Sequence, residues 1–184
     1  MYSAKQLSLL ALVVAQLLAV IQGGVNDNTD NWVLADKTKN FPENAVLGGF
    51  DPTGYNLYVG RTTSGTSILP VRVVAETRVA TFNSDTAVST ATTYDLLVSN
   101  ATLGYNWVRS FDGYREKNAV SVGTNSTNDQ VFVCRARGNS AQIIGTLFPG
   151  QKKCLIRYGT LAMNSYDKYE ILVREHKPLS WVPY

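Results

Sequence analysis

The chain of 184 residues has little of what most enzyme active sites require, since it contains one histidine and two cysteines. With His176 alone, a histidine-based catalytic triad, a two-histidine metal site or a proton relay is hard to assemble. The G-x-S-x-G, H-E-x-x-H and G-x-x-x-x-G-K motifs are also missing. Seventeen basic and fourteen acidic residues give a net charge of +3, too small to indicate a nucleic-acid-binding protein. These absences favour a protein that is not an enzyme and has no cofactor or metal.

Long hydrophobic runs are scarce, and the one clear example lies at the N-terminus. Lys5 precedes the apolar segment Leu7–Ile21, which ends at small residues. This order is typical of a secretory signal peptide. The segment is short for a membrane span, and no second one follows. We therefore predict a signal peptide over residues 1–23, cleavage before Gly24 and a secreted, extracellular protein; the alternative is a buried N-terminal helix.

The two cysteines, Cys134 and Cys154, each lie in an apolar segment typical of a β-strand. Secretion would expose them to an oxidising compartment, which permits a disulfide between them. The alternative is a pair of buried free thiols. Glycosylation sequons begin at Asn100 and Asn125, and either asparagine could carry a glycan in a secreted protein.

The second half of the chain repeats the first at an offset of 74 or 75 residues. The matching segments are Ala45-Val46 with Ala119-Val120, Leu57–Arg61 with Val131–Arg135, Val79–Phe82 with Lys153–Ile156, and Tyr94–Val98 with Tyr169–Val173. A Trp-Val pair occurs three times, at Trp32, Trp107 and Trp181. We interpret this pattern as a tandem duplication, with copy one over residues 24–101 and copy two over residues 102–184.

Short apolar segments separated by Gly, Asn, Ser and Thr predict an all-β protein. No segment after the signal peptide has a helical period. The predicted strands are Asn56–Arg61, Val71–Ala75, Val79–Phe82 and Tyr94–Val98 in copy one, and Val131–Arg135, Ile143–Phe148, Cys154–Tyr158 and Tyr169–Arg174 in copy two. Two pseudo-symmetric antiparallel modules, packed as a β-sandwich, would bury their apolar faces. The third Trp-Val pair suggests a shared or exchanged terminal strand, Ser180–Val182.

Several segments carry a family pattern. Ala45–Gly54 reads A-V-L-G-G-F-D-P-T-G, and Leu57–Arg61 reads L-Y-V-G-R. In their order and spacing, these segments and the strand that begins at Tyr94 resemble the DM9 repeat, which is found in secreted and vesicular proteins and in natterin-like proteins. The resemblance extends from about Trp32 to Tyr184.

The resemblance implies a two-copy antiparallel fold with pseudo-twofold symmetry. Some DM9 proteins are mannose-binding lectins, in which the acidic residue of the G-G-x-D turn and the lysine of a P-G-K segment hold sugar hydroxyls. The matching residues here are Asp51 and Arg72, with Val71 in place of the glycine. Their counterparts in copy two are Asn125 and Thr146, which are both neutral.

We therefore expect an asymmetric carbohydrate site centred on Asp51 and Arg72, with Asn125 and Thr146 as a weaker second site. The alternative for Asp51 is a purely structural role, because Asp-Pro-Thr-Gly is good turn chemistry. The repeated arginines Arg61 and Arg135 suggest either an ion pair within each copy, which we favour, or a ligand contact.

The resulting hypothesis is a secreted mannose-type lectin that recognises glycans on microbial or host surfaces in innate immunity. It needs no nucleic acid and no membrane span, and a homodimer is compatible with it. The alternative is a secreted interaction or structural protein, such as a venom, salivary or matrix component, that keeps the DM9 fold without binding sugar.

Overall fold

The computed structural model describes residues 24–36, 38–83, 87–138, 140–159 and 164–178. The predicted signal peptide and the Trp181-Val182 pair lie outside the described residues. The strands are β1 (Trp32–Leu34), β2 (Leu47–Phe50), β3 (Asn56–Ser64), β4 (Ser67–Val74), β5 (Ala80–Asn83), β6 (Val88–Ala91), β7 (Asp95–Leu97), β8 (Leu103–Phe111), β9 (Ser121–Thr124), β10 (Gln130–Gly138), β11 (Ala141–Phe148), β12 (Lys153–Ile156), β13 (Asn164–Tyr166) and β14 (Lys168–His176). The described part of the chain contains one 3-10 turn, Pro149–Gln151, and no α-helix. The all-β prediction is confirmed, and no helix among these residues could cross a membrane.

The two copies have the same order of elements, so that β1 to β7 correspond to β8 to β14. All strand pairings are antiparallel, and the main path through the sheet is β6-β5-β4-β3-β2-β11-β10-β14-β8. The copies meet where β2 pairs with β11 at Phe50 and Gln142. On the other side of the pseudo-twofold axis, the corresponding strands β9 and β4 are in contact, without a strand pairing between them. The β1 and β8 strands, which carry the first two Trp-Val pairs, lie beside β7 and β14.

One hydrophobic core runs through both copies. Val59 of β3, Val71 of β4 and their counterparts in β10 and β11 are buried. These hairpin strands are covered on both faces, which explains why their sequences are nearly continuous apolar runs. The prediction placed strands at most of these runs, because β-branched residues favour a half-buried or buried pleated surface.

The predicted disulfide is present. Cys134 of β10 and Cys154 of β12 are joined, with their Cα atoms 6.0 Å apart, and both residues are fully buried. The bridge links the two strands that flank β11, so it fixes three neighbouring strands of copy two. Copy one has Gly60 and Ala80 at the matching positions and holds the same strands by backbone pairing and packing, without a disulfide.

The repeated arginines form the expected ion pair within each copy. The Nε of Arg61 lies 3.0 Å from the Asp95 carboxylate, and the Nε of Arg135 lies 2.8 Å from that of Glu170. Each pair joins the long hairpin strand of its copy to the last strand. The equivalent positions of Asp95 and Glu170 therefore serve structure, as the duplication pattern suggested.

The same two guanidinium groups also tie the copies together. Nη1 of Arg61 donates to the Val122 carbonyl at 3.1 Å, and Nη1 of Arg135 donates to the Gly48 carbonyl at 3.0 Å. Each arginine lies over the tryptophan ring of its own copy, at 4.6 Å for Arg61 and 4.3 Å for Arg135. Trp32 and Trp107 thus have the same role in the two copies, since each ring lies against the guanidinium group of its own copy.

Candidate functional site

The Asp51 carboxylate holds the turn between β2 and β3. Its Oδ1 accepts hydrogen bonds from the Thr53 backbone N–H at 2.9 Å, the Thr53 hydroxyl at 2.7 Å and the Tyr55 N–H at 3.0 Å. Asp51 is buried, and Gly54 adopts a φ of 93°, which glycine tolerates without strain. Asp51 therefore has the structural role in the turn that was the alternative to carbohydrate binding.

The second carboxylate oxygen of Asp51 faces copy two. Its Oδ2 accepts the hydroxyl of Tyr158, at 3.1 Å. Burial alone would raise the pKa of Asp51, but the hydrogen bonds from Thr53, Tyr55 and Tyr158 outweigh it and hold that pKa below its usual range. Burial raises the pKa of Tyr158, and the hydrogen bond to Asp51 acts in the same direction.

Arg72 approaches the same tyrosine from the other side, with its guanidinium 5.7 Å from the centre of the Tyr158 ring. Nη1 of Arg72 donates to the Asn83 side chain at 3.0 Å and to the carbonyls of Ile144 at 3.2 Å and Arg157 at 2.8 Å. The structure therefore brings Asp51 and Arg72 together, as the resemblance implied, but with a phenol between them.

The Arg72 guanidinium is a buried cation among neutral partners. Arg72 is 2% exposed, and its Nη2 has no hydrogen-bond partner. No carboxylate among the described residues forms an ion pair with it. Burial lowers the pKa of Arg72 to about 10. Such an arrangement is costly, because an ionised group normally takes a partner when it leaves water.

Little space remains beside this cluster. The cavity between Pro52 and Tyr158 has a volume of about 30 Å³. That is room for about one water molecule and far less than a sugar ring needs. Tyr158 lines this cavity and contacts both of the residues predicted to bind carbohydrate in copy one.

The matching turn in copy two repeats the geometry with a neutral side chain. The Asn125 Oδ1 accepts the Thr127 N–H at 3.0 Å, the Thr127 hydroxyl at 2.9 Å and the Asp129 N–H at 2.8 Å. Thr146, which replaces Arg72, is 3% exposed in β11. No hydrogen bond in the described part of the chain joins Thr146 to Asn125.

An open cleft, which we call the Asn125 cleft, lies beside this turn. Its volume is about 530 Å³, and the tip of the β3–β4 hairpin of copy one forms its opposite wall. The polar side chains that line it are Ser64, Ser67, Arg115, Asn125, Ser126, Asp129, Gln130 and Gln151, with Phe148 as the aromatic wall. Ser64 and Ser67 were not predicted at this cleft, because their wall comes from copy one and only the tertiary arrangement brings it to Asn125. Arg115 and Asp129 were not predicted because they belong to no recognised motif.

Two contacts hold the Arg115 side chain in position at this cleft. Its Nη1 donates to the Gln130 side chain at 2.7 Å, and its guanidinium lies 4.9 Å from the centre of the Phe132 ring. The single proton of the Thr127 hydroxyl is shared between Asn125 Oδ1 at 2.9 Å and the Asp129 carboxylate at 2.7 Å. An exposed cation, Arg115, and an exposed carboxylate, Asp129, therefore line one cleft. Copy one has the same kinds of donor and acceptor in Arg72 and Asp51, but there both are buried.

The two sequons differ in setting. Asn100 is exposed, and its Oδ1 accepts the N–H groups of Thr102 at 2.9 Å and Leu103 at 2.7 Å. Asn125 is half-buried at the cleft. A glycan on Asn125 would fill the cleft, whereas one on Asn100 would not. No group of three or more His, Cys, Asp or Glu side chains suited to a metal ion occurs in the described residues.

Comparisons with known proteins find a matching family and a similar solved structure. The family model described as the DM9 repeat matches residues 51–165, which is more than half of the chain. No curated protein matches the sequence. Among solved structures, the crystal structure of the nematode sperm cell motility protein MFP2B is similar, with a TM-score of 0.63 and 14% sequence identity. The match covers 84% of this chain and 48% of that chain, so this chain spans about half the length of MFP2B. At this identity the likeness shows the fold alone.

Proposed function

Because the chain belongs to the DM9 repeat family, we propose that it is a secreted carbohydrate-binding protein that takes neutral, mannose-type glycans in the Asn125 cleft. The observation that carries this proposal is the cleft itself, which is open and lined by both donors and acceptors. Glycans on microbial or host surfaces are the partners, and recognition in innate immunity is the biological role that such binding would serve.

The chemistry of the cleft suits a sugar. Vicinal hydroxyls of a pyranose require donors and acceptors side by side, and charge-assisted hydrogen bonds are the stronger kind. Arg115 supplies N–H donors, Asp129 supplies an acceptor, and the hydroxyls of Ser64 and Ser67 act as either. The half-buried ring of Phe148 offers an apolar surface to the face of a pyranose.

In this proposal Asp51 and Arg72 do not bind the glycan, because Tyr158 already contacts both. Tyr158 places its hydroxyl against Asp51 and its ring against Arg72, much as a sugar hydroxyl and ring would be held. A glycan could reach this pair only if Tyr158 moved away, which would break its hydrogen bond and expose Arg72. The accessible site is therefore on copy two, although the acid and base of the family pattern are on copy one.

A second candidate is an interaction or structural protein that does not bind sugar. The specific observation in its favour is that Tyr158 contacts both residues that resemble the lectin pair, with its hydroxyl on Asp51 and its ring beside Arg72. MFP2B is described as a sperm cell motility protein, so the fold also occurs in a protein known for a role other than sugar binding.

The experiment measures binding of a mannose oligosaccharide to the mature chain by calorimetry. The protein is made in the bacterial periplasm, where the disulfide forms and Asn125 stays unglycosylated. The cleft variant Arg115→Ala with Asp129→Asn should weaken binding roughly ten- to a hundredfold, because a charge-assisted hydrogen bond contributes about 1.5–3 kcal/mol. The matched control is Asp51→Asn, which keeps the turn acceptor that Asn125 has in copy two and should bind as the parent does.

The outcomes separate the candidates. Loss of affinity in Asp51→Asn with no change in the cleft variant would move the site to Asp51 and Arg72. Failure of the folded parent to bind any oligosaccharide at millimolar concentration would favour the interaction protein.

A further inference from the structure

A large groove with an excess of positive charge lies on the sheet face of copy two, away from the Asn125 cleft. Its volume is about 790 Å³, and strands β8, β10 and β14 form its floor. We call it the basic groove and define it by the side chains Arg109, Arg135, Arg137, Lys168 and Glu170. Four cations therefore line it, against one carboxylate.

The strand register places these side chains in two adjacent rows on one face. Arg135 and Arg109 lie opposite Glu170 on either side of β14, and Lys168 lies opposite Phe111. Residues two apart on a strand point to the same face, so Arg137 lies beyond Arg135 and next to Lys168. Neighbouring strands are about 4.8 Å apart, so the row from Arg137 to Phe111 spans about 10 Å.

The single carboxylate is already engaged. Glu170 accepts from Nε of Arg135 at 2.8 Å and from the Gln142 amide at 2.8 Å. Arg109, Arg137 and Lys168 are exposed and form no ion pair within the described part of the chain. Three cations without an ion pair in the described residues thus line one groove, and the one carboxylate that lines it is already bound to Arg135 and Gln142.

The duplication supplies an internal comparison for this groove. The matching surface of copy one keeps the Arg61–Asp95 ion pair. The positions of the three unpaired cations are occupied there by neutral residues. Leu34, which lies opposite Asp95, matches Arg109. Thr63 matches Arg137, and Thr93 matches Lys168. The frame of the groove is therefore shared by both copies, and all three unpaired cations belong to copy two.

The copy-one surface is also smaller, with a volume of about 180 Å³. The backbone carbonyl of Asp27 and the Asn28 side chain both accept hydrogen bonds from Arg61, so they cover its guanidinium. Arg61 is 4% exposed as a result, whereas Arg135 is half-buried. Copy two thus leaves open the surface that copy one covers.

Aromatic surface borders the cations. Phe111 is 58% exposed, and its ring stacks on that of Tyr114 with the ring centres 6.2 Å apart. Tyr166 lines the groove at the other side. Large exposed rings beside unpaired guanidinium groups are suited to a ligand that carries both negative charge and apolar faces.

We propose that the basic groove of copy two binds a sulfated polysaccharide. A planar guanidinium fork matches a sulfate group with two parallel hydrogen bonds, and the groove offers two such forks and one ammonium. The exposed rings would pack on the sugar faces between the sulfates. The net charge of +3 and the short track of cations favour this ligand over a nucleic acid, which is held by a longer series of phosphate contacts. This site goes beyond the proposed neutral-sugar function and shares no lining residue with the Asn125 cleft.

The test uses variants that the chain itself suggests. Arg109→Leu, Arg137→Thr and Lys168→Thr together give the basic groove the residues that copy one has, so the fold should tolerate them. The control variant Lys39→Thr, Lys117→Thr and Lys153→Thr removes the same total charge from exposed positions outside the groove. Binding of the mature chain to an immobilised heparin oligosaccharide is measured for each, beside the desulfated oligosaccharide and a single-stranded DNA of similar charge.

We expect the groove variant to lose roughly ten- to a hundredfold in affinity for the sulfated oligosaccharide, since three exposed charge contacts of about 0.5–1 kcal/mol each are removed. The control variant should lose less than about threefold, the desulfated probe should bind weakly, and added salt should weaken the interaction. Thermal denaturation confirms that each variant is folded.

Three results would overturn the proposal. Equal losses in the groove and control variants would mean that the attraction is diffuse charge. Equal binding of desulfated oligosaccharide would remove sulfate as the recognised group, and DNA that binds as tightly through the same residues would make the ligand a nucleic acid. The groove variant should bind mannose as the parent does, because the groove and the Asn125 cleft share no lining residue. If the parent binds no mannose, the comparison of heparin binding between the groove and control variants still tests the basic groove.

Discussion

Replacing Asp51 by alanine should destabilise the protein, whereas replacing it by asparagine should cost little. Asp51 Oδ1 accepts three hydrogen bonds within its own turn, and Oδ2 accepts the Tyr158 hydroxyl. Alanine removes every one of these acceptors. Asparagine keeps the Oδ1 acceptor, and Asn125 shows that this side chain makes the same three bonds in copy two.

The magnitude follows from what each change leaves unpaired. Loss of a side-chain acceptor that holds N–H groups of a tight turn costs about 1–2 kcal/mol, as at a helix N-cap. The half-buried Tyr158 hydroxyl loses its partner, which adds about 1 kcal/mol. Asp51→Ala should therefore lower the free energy of unfolding by about 2–3 kcal/mol, and Tm by about 4–12 °C for a chain of this size. Asp51→Asn should change the free energy by less than about 1 kcal/mol, because its amide still faces the Tyr158 oxygen.

The assay is urea denaturation followed by tryptophan fluorescence, with thermal denaturation in parallel. The slope against urea should be the same for the parent and both variants, so that the midpoints report stability. If asparagine destabilised the protein as much as alanine does, the negative charge of Asp51 would matter more than its turn acceptor. If alanine had no effect, the carboxylate would have no structural role, and a ligand would have to explain its burial.

Three further outcomes are expected. Cys134→Gly with Cys154→Ala, which introduces the copy-one residues, should lower the free energy of unfolding by about 3 kcal/mol, and a parent alkylated without reduction should show no mass increase. Because the native pKa of Asp51 lies below its usual range, its carboxylate stabilises the fold at neutral pH. That contribution should be lost as the pH falls below 3.8 and through the native pKa, so Asp51→Asn should lose less stability than the parent between neutral and acid pH. Secreted material should begin near Gly24 on N-terminal sequencing, and material that begins at Met1 would contradict the signal peptide.

The strands that the sequence predicted are those with runs of β-branched and aromatic residues. The prediction missed the short strands β1, β2, β6, β9 and β13, of which all but β1 contain glycine, serine or threonine. In β2, a Cβ on Gly49 would lie 2.0 Å from the Gln142 carbonyl, so the strand needs glycine where β11 approaches it. Such a contact between copies is a tertiary requirement, and local propensity does not register it. The nine-residue β8 was missed because it is the edge of the main sheet path and has no apolar run.

The candidate site was predictable only in part. The DM9 resemblance found Asp51 and Arg72, and the structure brings them to one place. Tyr158 was predicted to continue strand β12, but that strand ends at Ile156 and the chain then turns towards Asp51. This outcome depends on a contact between residues 107 positions apart, which no local pattern contains.

Arg61 of copy one binds a backbone carbonyl of copy two, and Arg135 of copy two binds the corresponding carbonyl of copy one. The two copies therefore meet as the subunits of a homodimer do, although they belong to one polypeptide. Equal contacts made in both directions about a twofold axis define an isologous interface, as in most symmetric homodimers. Here the linker before β8 joins the two partners, so each half meets the other at a high effective concentration without a separate association step. The shared frame can then stay the same while the surfaces of the two halves differ: the turn of copy one is covered by Tyr158 of copy two, and the outer face of copy two carries the unpaired cations.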